Sequence, residues 1–343
     1  MSTYRRILVG ARESPTSAVA ERTAAGLAAY LGSELVILHV TDPTLPGPNH
    51  GPEVLQGAAG RAAEAGVTAQ TEHRTGEPAA TIMATAADLR ADLIVIGDHG
   101  MGEAKRFGLG GIPDNVAHFS PIDILVVRTS QPDRRPAKYG KVLIGIDGSI
   151  TANQAAARGH QLAGALGAQV SLIYVGDELI GDIVLRDSAS RLGDNVGRLV
   201  AKGNPAVQIC RTARTGQHDL IVVGNKGMVG SQRYLRKVVP NRVAHEAPVD
   251  VLIAKTVGRS LFDLKPGEGG VVDVDGEKVA AFVDDDGTRY TVSARCQHLG
   301  CTVGWNGRAR TWDCPCHGSR YDFKGGVING PTTRPLPPVD VSS

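Results

Sequence analysis

Short unbroken apolar runs alternate along the chain with longer stretches in which apolar residues recur at helical spacing. Ile7-Leu8-Val9 opens a strand over 7–10, and an Ala-rich helix over about 17–31 follows, closed by Gly32 as a left-handed cap. A strand over 35–40, a loop rich in Pro and Gly, a helix near 54–65 and a strand over 67–73 come next. Glu77-Pro78 opens another helix, with Pro suited to its first turn. A strand over 92–97, a Gly-rich loop, a helix near 114–119 and a strand over 123–128 complete the series. Strands that are apolar throughout belong in a parallel sheet covered on both faces. The pattern therefore predicts a doubly wound α/β domain with a parallel five-stranded sheet.

The same pattern then returns. Ile7-Leu8-Val9-Gly10 reappears as Val142-Leu143-Ile144-Gly145, an offset of 135. Asp92-Leu93-Ile94-Val95-Ile96-Gly97 reappears as Asp219-Leu220-Ile221-Val222-Val223-Gly224, an offset of 127. Between Asp177 and Gly203 the second copy is eight residues shorter, where a second helix and third strand are expected. After Lys265-Pro266-Gly267 the period changes to two, with strands over 271–274, 278–283 and 289–293 and Asp-Gly turns at Asp275-Gly276 and Asp286-Gly287. The expected domains are 1–130, 138–257 and 261–343: two doubly wound α/β domains followed by a small all-β domain.

Composition narrows this picture. Aromatics make up only 4% of 343 residues, so the α/β cores must be built from Ala, Val, Ile and Leu. A net charge of +2 gives no electrostatic case for nucleic acid or membrane. No leader-like run opens the chain and no segment approaches 18 apolar residues, so no membrane span and a cytoplasmic location are expected. The fifth cysteine, Cys210, lies in a helical stretch and reads as buried filler.

The other four cysteines sit in two runs, Cys296-Gln297-His298-Leu299-Gly300-Cys301 and Cys314-Pro315-Cys316-His317-Gly318-Ser319. Thiolates are the soft ligands of iron–sulfur clusters, and imidazole can replace them on one iron. Each run offers one Cys and one His at close spacing. Zinc is the rival, since two Cys and two His fit a tetrahedral site, although zinc fingers draw a Cys pair and a His pair from separate elements.

These residues resemble the Rieske 2Fe–2S proteins, whose pattern is C-x-H-x-G-C followed by C-x-C-H-G-S. The resemblance implies that Cys296 and Cys314 bind one iron of a 2Fe–2S cluster and His298 and His317 the other. It implies a Cys301–Cys316 disulfide, and hydrogen bonds from Ser319 and Tyr321 to cluster sulfur, which raise the potential. Gly330-Pro331 and the prolines beyond resemble the family's cover loop. The order and glycine placement of the two repeats resemble the universal stress proteins, some of which bind ATP through an Asp after the first strand and a G-x-x-G-x9-G-S/T loop. Copy one keeps Gly97, Gly100 and Gly110 but has Arg12 and Gly111 at the Asp and Ser/Thr positions. Copy two keeps Asp147, Gly224 and Gly227 but has Lys237-Val238 at the Gly-Ser position. ATP or another adenine nucleotide is thus a possible ligand, against the plain reading that these glycines make turns. The resemblance also implies copies paired with each other, or a homo-oligomer.

No catalytic acid–base set, Rossmann fingerprint or second iron site stands out. The expectation is a soluble, high-potential one-electron carrier that serves a redox partner protein and is not a complete enzyme alone. The alternative is a redox- or nucleotide-responsive regulator in which the cluster is a sensor; a third reading is a scaffold whose tail holds metal only for stability.

Overall fold

The computed structural model describes residues 3–44, 50–98, 111–130, 139–193, 195–225, 238–255, 264–274, 277–298, 300, 302–314 and 318–341. The chain divides into two units, Met1–Thr256 and Val257–Ser343.

In the first unit, copy one runs β1 (Arg6–Gly10), α1 (Pro15–Leu31), β2 (Glu34–Thr41), α2 (Gly51–Glu64), β3 (Ala69–Thr75), α3 (Pro78–Asp88), β4 (Leu93–Gly97), α4 (Gly111–Phe119) and β5 (Asp123–Val127). Copy two runs β6 (Lys141–Gly145), α5 (Ile150–Leu166), β7 (Gln169–Val175), α6 (Glu178–Leu192), β8 (Val196–Ala201), α7 (Pro205–Thr215), β9 (Leu220–Gly224), α8 (Val239–Glu246) and β10 (Asp250–Ala254). The ten strands form one sheet in the order β3-β2-β1-β4-β5-β10-β9-β6-β7-β8. Every neighbouring pair is parallel except the central one, where β5 and β10 run antiparallel with Leu125 opposite Leu252. Alternate strand residues feed two cores, Ile7 and Val9 on one face and Leu8 on the other. Among the described residues both cores are Ala, Val, Ile and Leu, with Tyr4 and Tyr139 the only buried aromatics in them.

Element ends differ from the sequence reading by up to three residues, as at α2 and β3, and two differences have a clear physical reason. Helix α1 starts at Pro15, because the Ser14 side chain accepts the Ser17 N–H and Pro15 occupies the first turn. The eight-residue contraction falls in the connection between β7 and α6, while α6 and β8 are intact. It shortens a loop, where length is tolerated, rather than an element whose residues all pack.

A reciprocal set of buried polar contacts closes the central seam. The Tyr4 hydroxyl donates to Asp123 at 2.7 Å, and the Tyr139 hydroxyl to Asp250 at 2.7 Å. Asp123 also accepts the backbone N–H of Lys255 (2.7 Å), and Asp250 that of Arg128 (2.9 Å). Lys255 Nζ donates to the Ala117 carbonyl at the end of α4 (2.6 Å), and Arg128 Nη2 to the Ala244 carbonyl near the end of α8 (2.6 Å). Each copy therefore supplies the cation for the other copy's last helix, where orphan carbonyls and the helix dipole favour positive charge. His118 and His245 occupy equivalent positions; His118 packs on Phe119, and His245 Nε2 lies 3.0 Å from Asp114 Oδ1 of copy one.

The second unit is all-β. Strands β11 (Gly269–Val274), β12 (Glu277–Val283) and β13 (Arg289–Ser293) form one antiparallel sheet. Strands β14 (Gly304–Asn306), β15 (Thr311–Asp313), β16 (Arg320–Asp322) and β17 (Val327–Asn329) form another. Trp305 stacks on Phe282 and meets Trp312 at a tilt of 54°, with ring centroids 4.7 Å from each. A Cβ on Gly269 would lie 2.3 Å from the Trp305 ring, so only glycine fits beneath it. Trp312 is fully buried and fills the core of this unit.

Candidate metal centre

The two Cys/His runs form loops of similar construction. The first leaves β13 and is pinched at its base by the antiparallel bridge between Arg295 and Thr302. Within it the Gly300 N–H donates to the Cys296 carbonyl at 2.9 Å. The second joins β15 to β16; the Cys314 N–H donates to the Ser319 carbonyl at 2.7 Å and the Gly318 N–H to the Cys314 carbonyl at 3.0 Å. Gly300 (φ +75°) and Gly318 (φ +74°) hold left-handed turns that a side chain would strain. A third segment follows β17 and carries the cis Gly330–Pro331 peptide. It ties to both loops: the Thr332 N–H donates to Ser319 Oγ (3.2 Å), and Arg334 Nη2 donates to the Gln297 carbonyl (3.1 Å).

This scaffold brings Cys296, Cys314, Ser319 and Tyr321 together in buried positions. The Tyr321 hydroxyl lies 3.2 Å from Cys296 Sγ and accepts the Gln297 N–H at 3.2 Å, which leaves its proton for the sulfur. Burial alone would raise the Cys296 thiol. The Tyr321 hydroxyl, the His298 N–H, and the Cys314 and Ser319 side chains outweigh burial and hold the thiol below its usual range. Burial and the neighbouring sulfur push Tyr321 up. Cys210 on α7 is the internal contrast: burial, then Glu246, pushes it up to about 11, as befits a packing thiol. Cys296 sits instead among donors suited to a thiolate, the form that binds metal, so the residues present fit an iron–sulfur ligand site.

His298 is half-buried, with Nδ1 closed off from solvent. Neither Cys296 nor Cys314 is joined in a disulfide. Among the described residues no three His, Cys, Asp or Glu are gathered as a metal-binding group. His317, and the expected Cys301–Cys316 pair, lie outside the described residues. Sequence reasoning did not single out Thr332 or Arg334. Their one signal was position within the proline-rich segment.

The candidate nucleotide residues sit at strand ends. Asp147 accepts the Ser149 N–H at 3.0 Å and so joins the cap of α5. Gly224 abuts the same helix start: a Cβ there would lie 2.7 Å from the Thr151 carbonyl oxygen. At Gly97 a Cβ would lie 2.9 Å from the Thr129 methyl group. Both glycines are thus required by packing. Gly100, Gly110 and Gly227 lie outside the described residues. Among the described residues no helix is long and apolar enough to cross a membrane.

Comparison with known proteins places both units. The universal stress protein family model matches residues 3–128 and 183–255, more than half the chain. The chain belongs to the universal stress protein family. Residues 257–340 match the Rieske [2Fe-2S] domain, so the second unit is a Rieske domain and its cofactor a 2Fe–2S cluster. YhfW of Bacillus subtilis, whose name also describes a Rieske 2Fe–2S iron–sulfur protein, is 47% identical over 79 residues, 23% of this chain and 16% of that one. The cytochrome b6-f complex iron–sulfur subunit 2 of a Nostoc species is 35% identical over 103 residues, 29% of this chain and 53% of that one. The chain thus spans about half or less of the length of these two relatives. A universal stress protein from Archaeoglobus fulgidus shares the fold of the first unit at 19% identity, with a TM-score of 0.64 over 74% of this chain and 99% of that one.

Proposed function

We propose that this protein is a one-electron carrier of the high-potential Rieske type, coupled to a tandem stress-protein module. Cys296 and Cys314 hold one iron of its cluster, and His298 and His317 the other. The cluster supplies the redox change of a single electron. The chain supplies buried sulfur ligands, a dry core beneath them, and two hydrogen-bond donors. The observation that carries the reading is the Tyr321 hydroxyl 3.2 Å from Cys296 Sγ. A donor placed on a ligand sulfur stabilises the reduced, more negative state, which suits an acceptor of electrons at high potential. Ser319, fully buried and held by the Thr332 N–H, is the second donor. The four ligand positions leave the metal no open site, so a separate redox partner protein gives or takes the electron, in a cytoplasmic setting.

Metal analysis and low-temperature EPR on anaerobically purified chain test this. The expected result is iron without zinc, and a rhombic Rieske signal on mild reduction. Zinc without a signal overturns it. The Cys301–Cys316 disulfide belongs to the same proposal, and alkylation mapping of the denatured chain should find both thiols protected until reductant is added. An adenine nucleotide at the ends of β6 and β9 is the remaining proposal. Calorimetric titration with ATP decides it: binding that Asp147→Ala weakens supports a ligand site, and no binding leaves these residues to packing and capping.

A further inference from the structure

The two outer edges of the ten-stranded sheet are built from equivalent positions and have opposite character. At the β8 edge, Leu179 is 73% exposed, Ile180 53% and Ile183 62% on α6, with Leu199 and Val200 exposed on the strand itself. The β2–β3 and β7–β8 registers align Ala69 with Val196, so the same five positions in copy one are Pro52, Glu53, Gln56, Glu72 and His73. Copy one thus carries the polar and charged residues that keep an open strand edge from pairing, including the Arg74–Glu72 ion pair. Copy two replaces them with aliphatic side chains beside an open row of backbone donors and acceptors. A contiguous exposed apolar patch of this kind marks an interaction surface.

We infer that the β8 edge pairs with the β8 edge of a second copy of this chain, extending the sheet across a two-fold axis. Charge selects this occupant. The carboxylates of α6 lie in local pairs, Asp182 with Arg186 (2.8 Å) and Asp187 with Arg191 (2.9 Å), and Glu178 is 3.5 Å from Lys202. Arg198, exposed at the middle of β8, has no carboxylate partner among the described residues. Val200 faces α6, since a Cβ on Gly181 would lie 3.2 Å from its methyl groups, and Arg198 shares that face because strand side chains alternate. An antiparallel β8–β8 pair with Leu199 on the axis sets Arg198 opposite Val200 of the other copy and avoids an Arg–Arg contact. The two α6 helices then lie on the same face. Their Leu179, Ile180 and Ile183 bury one another, and the Asp182 and Asp187 carboxylates come toward the Arg198 of the opposite copy. One patch supplies both halves of the contact, as an isologous interface requires.

Sedimentation equilibrium of the full chain across the micromolar range tests this. Wild type is expected to be a dimer, and Leu179→Glu with Ile183→Glu should halve the mass with the helical melt unchanged, because both side chains are exposed. Arg198→Glu should weaken the dimer about tenfold or more, since it sets two anions among the carboxylates. Glu53→Lys at the other edge should change nothing. A monomeric wild type hands the patch to a strand of a different protein and overturns the inference. A dimer unmoved by the α6 variants also overturns it.

Discussion

At the scale of single residues, the chemistry of the centre rests on which donors reach Cys296. Tyr321 is the test case, because its hydroxyl contacts the sulfur and its ring is fully buried. Tyr321→Phe keeps the ring and removes only that hydrogen bond. A hydrogen bond to a charged group is worth about 1.5–3 kcal/mol, and only the difference between redox states counts, so the potential should fall on the order of 50 mV. Protein-film voltammetry measures it, and an unchanged potential would remove Tyr321 from the tuning role. Ser319→Ala should act in the same direction. The expected cluster ligands were legible in the sequence because Cys and His at that density have few other uses. Thr332 and Arg334 were not: both residue types are common, and their contacts lie 13 and 37 residues away in the chain.

Among the elements, strands were the easiest to read, since a run apolar on both faces has one stable home, inside a covered parallel sheet. Helix starts were harder, because the apolar periodicity of α1 begins two residues after its Ser14-Pro15 cap. The exchange of helix-capping cations between copies left no local trace, because Lys255 reaches the Ala117 carbonyl across 138 residues. That contact has a measurable consequence. Burial lowers Lys255 from 10.5 to about 8, and the attraction of Asp123 offsets only part of this. The unfolded chain therefore binds more protons than the folded chain between these two values, and stability rises with pH across that window. The charged-state penalty is fully present below pH 8 and relieved toward 10.5, worth about 3 kcal/mol in all at 1.36 kcal/mol per unit. Urea unfolding of wild type and Lys255→Met at stepped alkaline pH should show this as a difference in slope. Parallel pH dependences would mean that Lys255 is not buried as a cation.

Over the whole molecule, the spectroscopic reporters are divided as cleanly as the fold. Both tryptophans of the chain, Trp305 and Trp312, lie in the second unit, and every helix of the described residues lies in the first. Tryptophan emission thus follows the Rieske unit alone, and helical circular dichroism follows the ten-stranded unit. The two differ in what can hold them together. Among the described residues the first unit buries two extended aliphatic cores on either side of one sheet, whereas the second has two small clusters, the larger of which includes Cys296 and Cys314 themselves. With the two proposed sulfur ligands in its core, a unit of that size is expected to draw folding free energy from the cluster. Cys314→Ser should therefore abolish the Rieske signal and shift tryptophan emission to the red at a urea concentration where wild type is still folded. The helical transition should keep its midpoint. Coincident loss of both signals would mean that the units unfold as one, and would tie the stability of the stress-protein module to the state of the cluster.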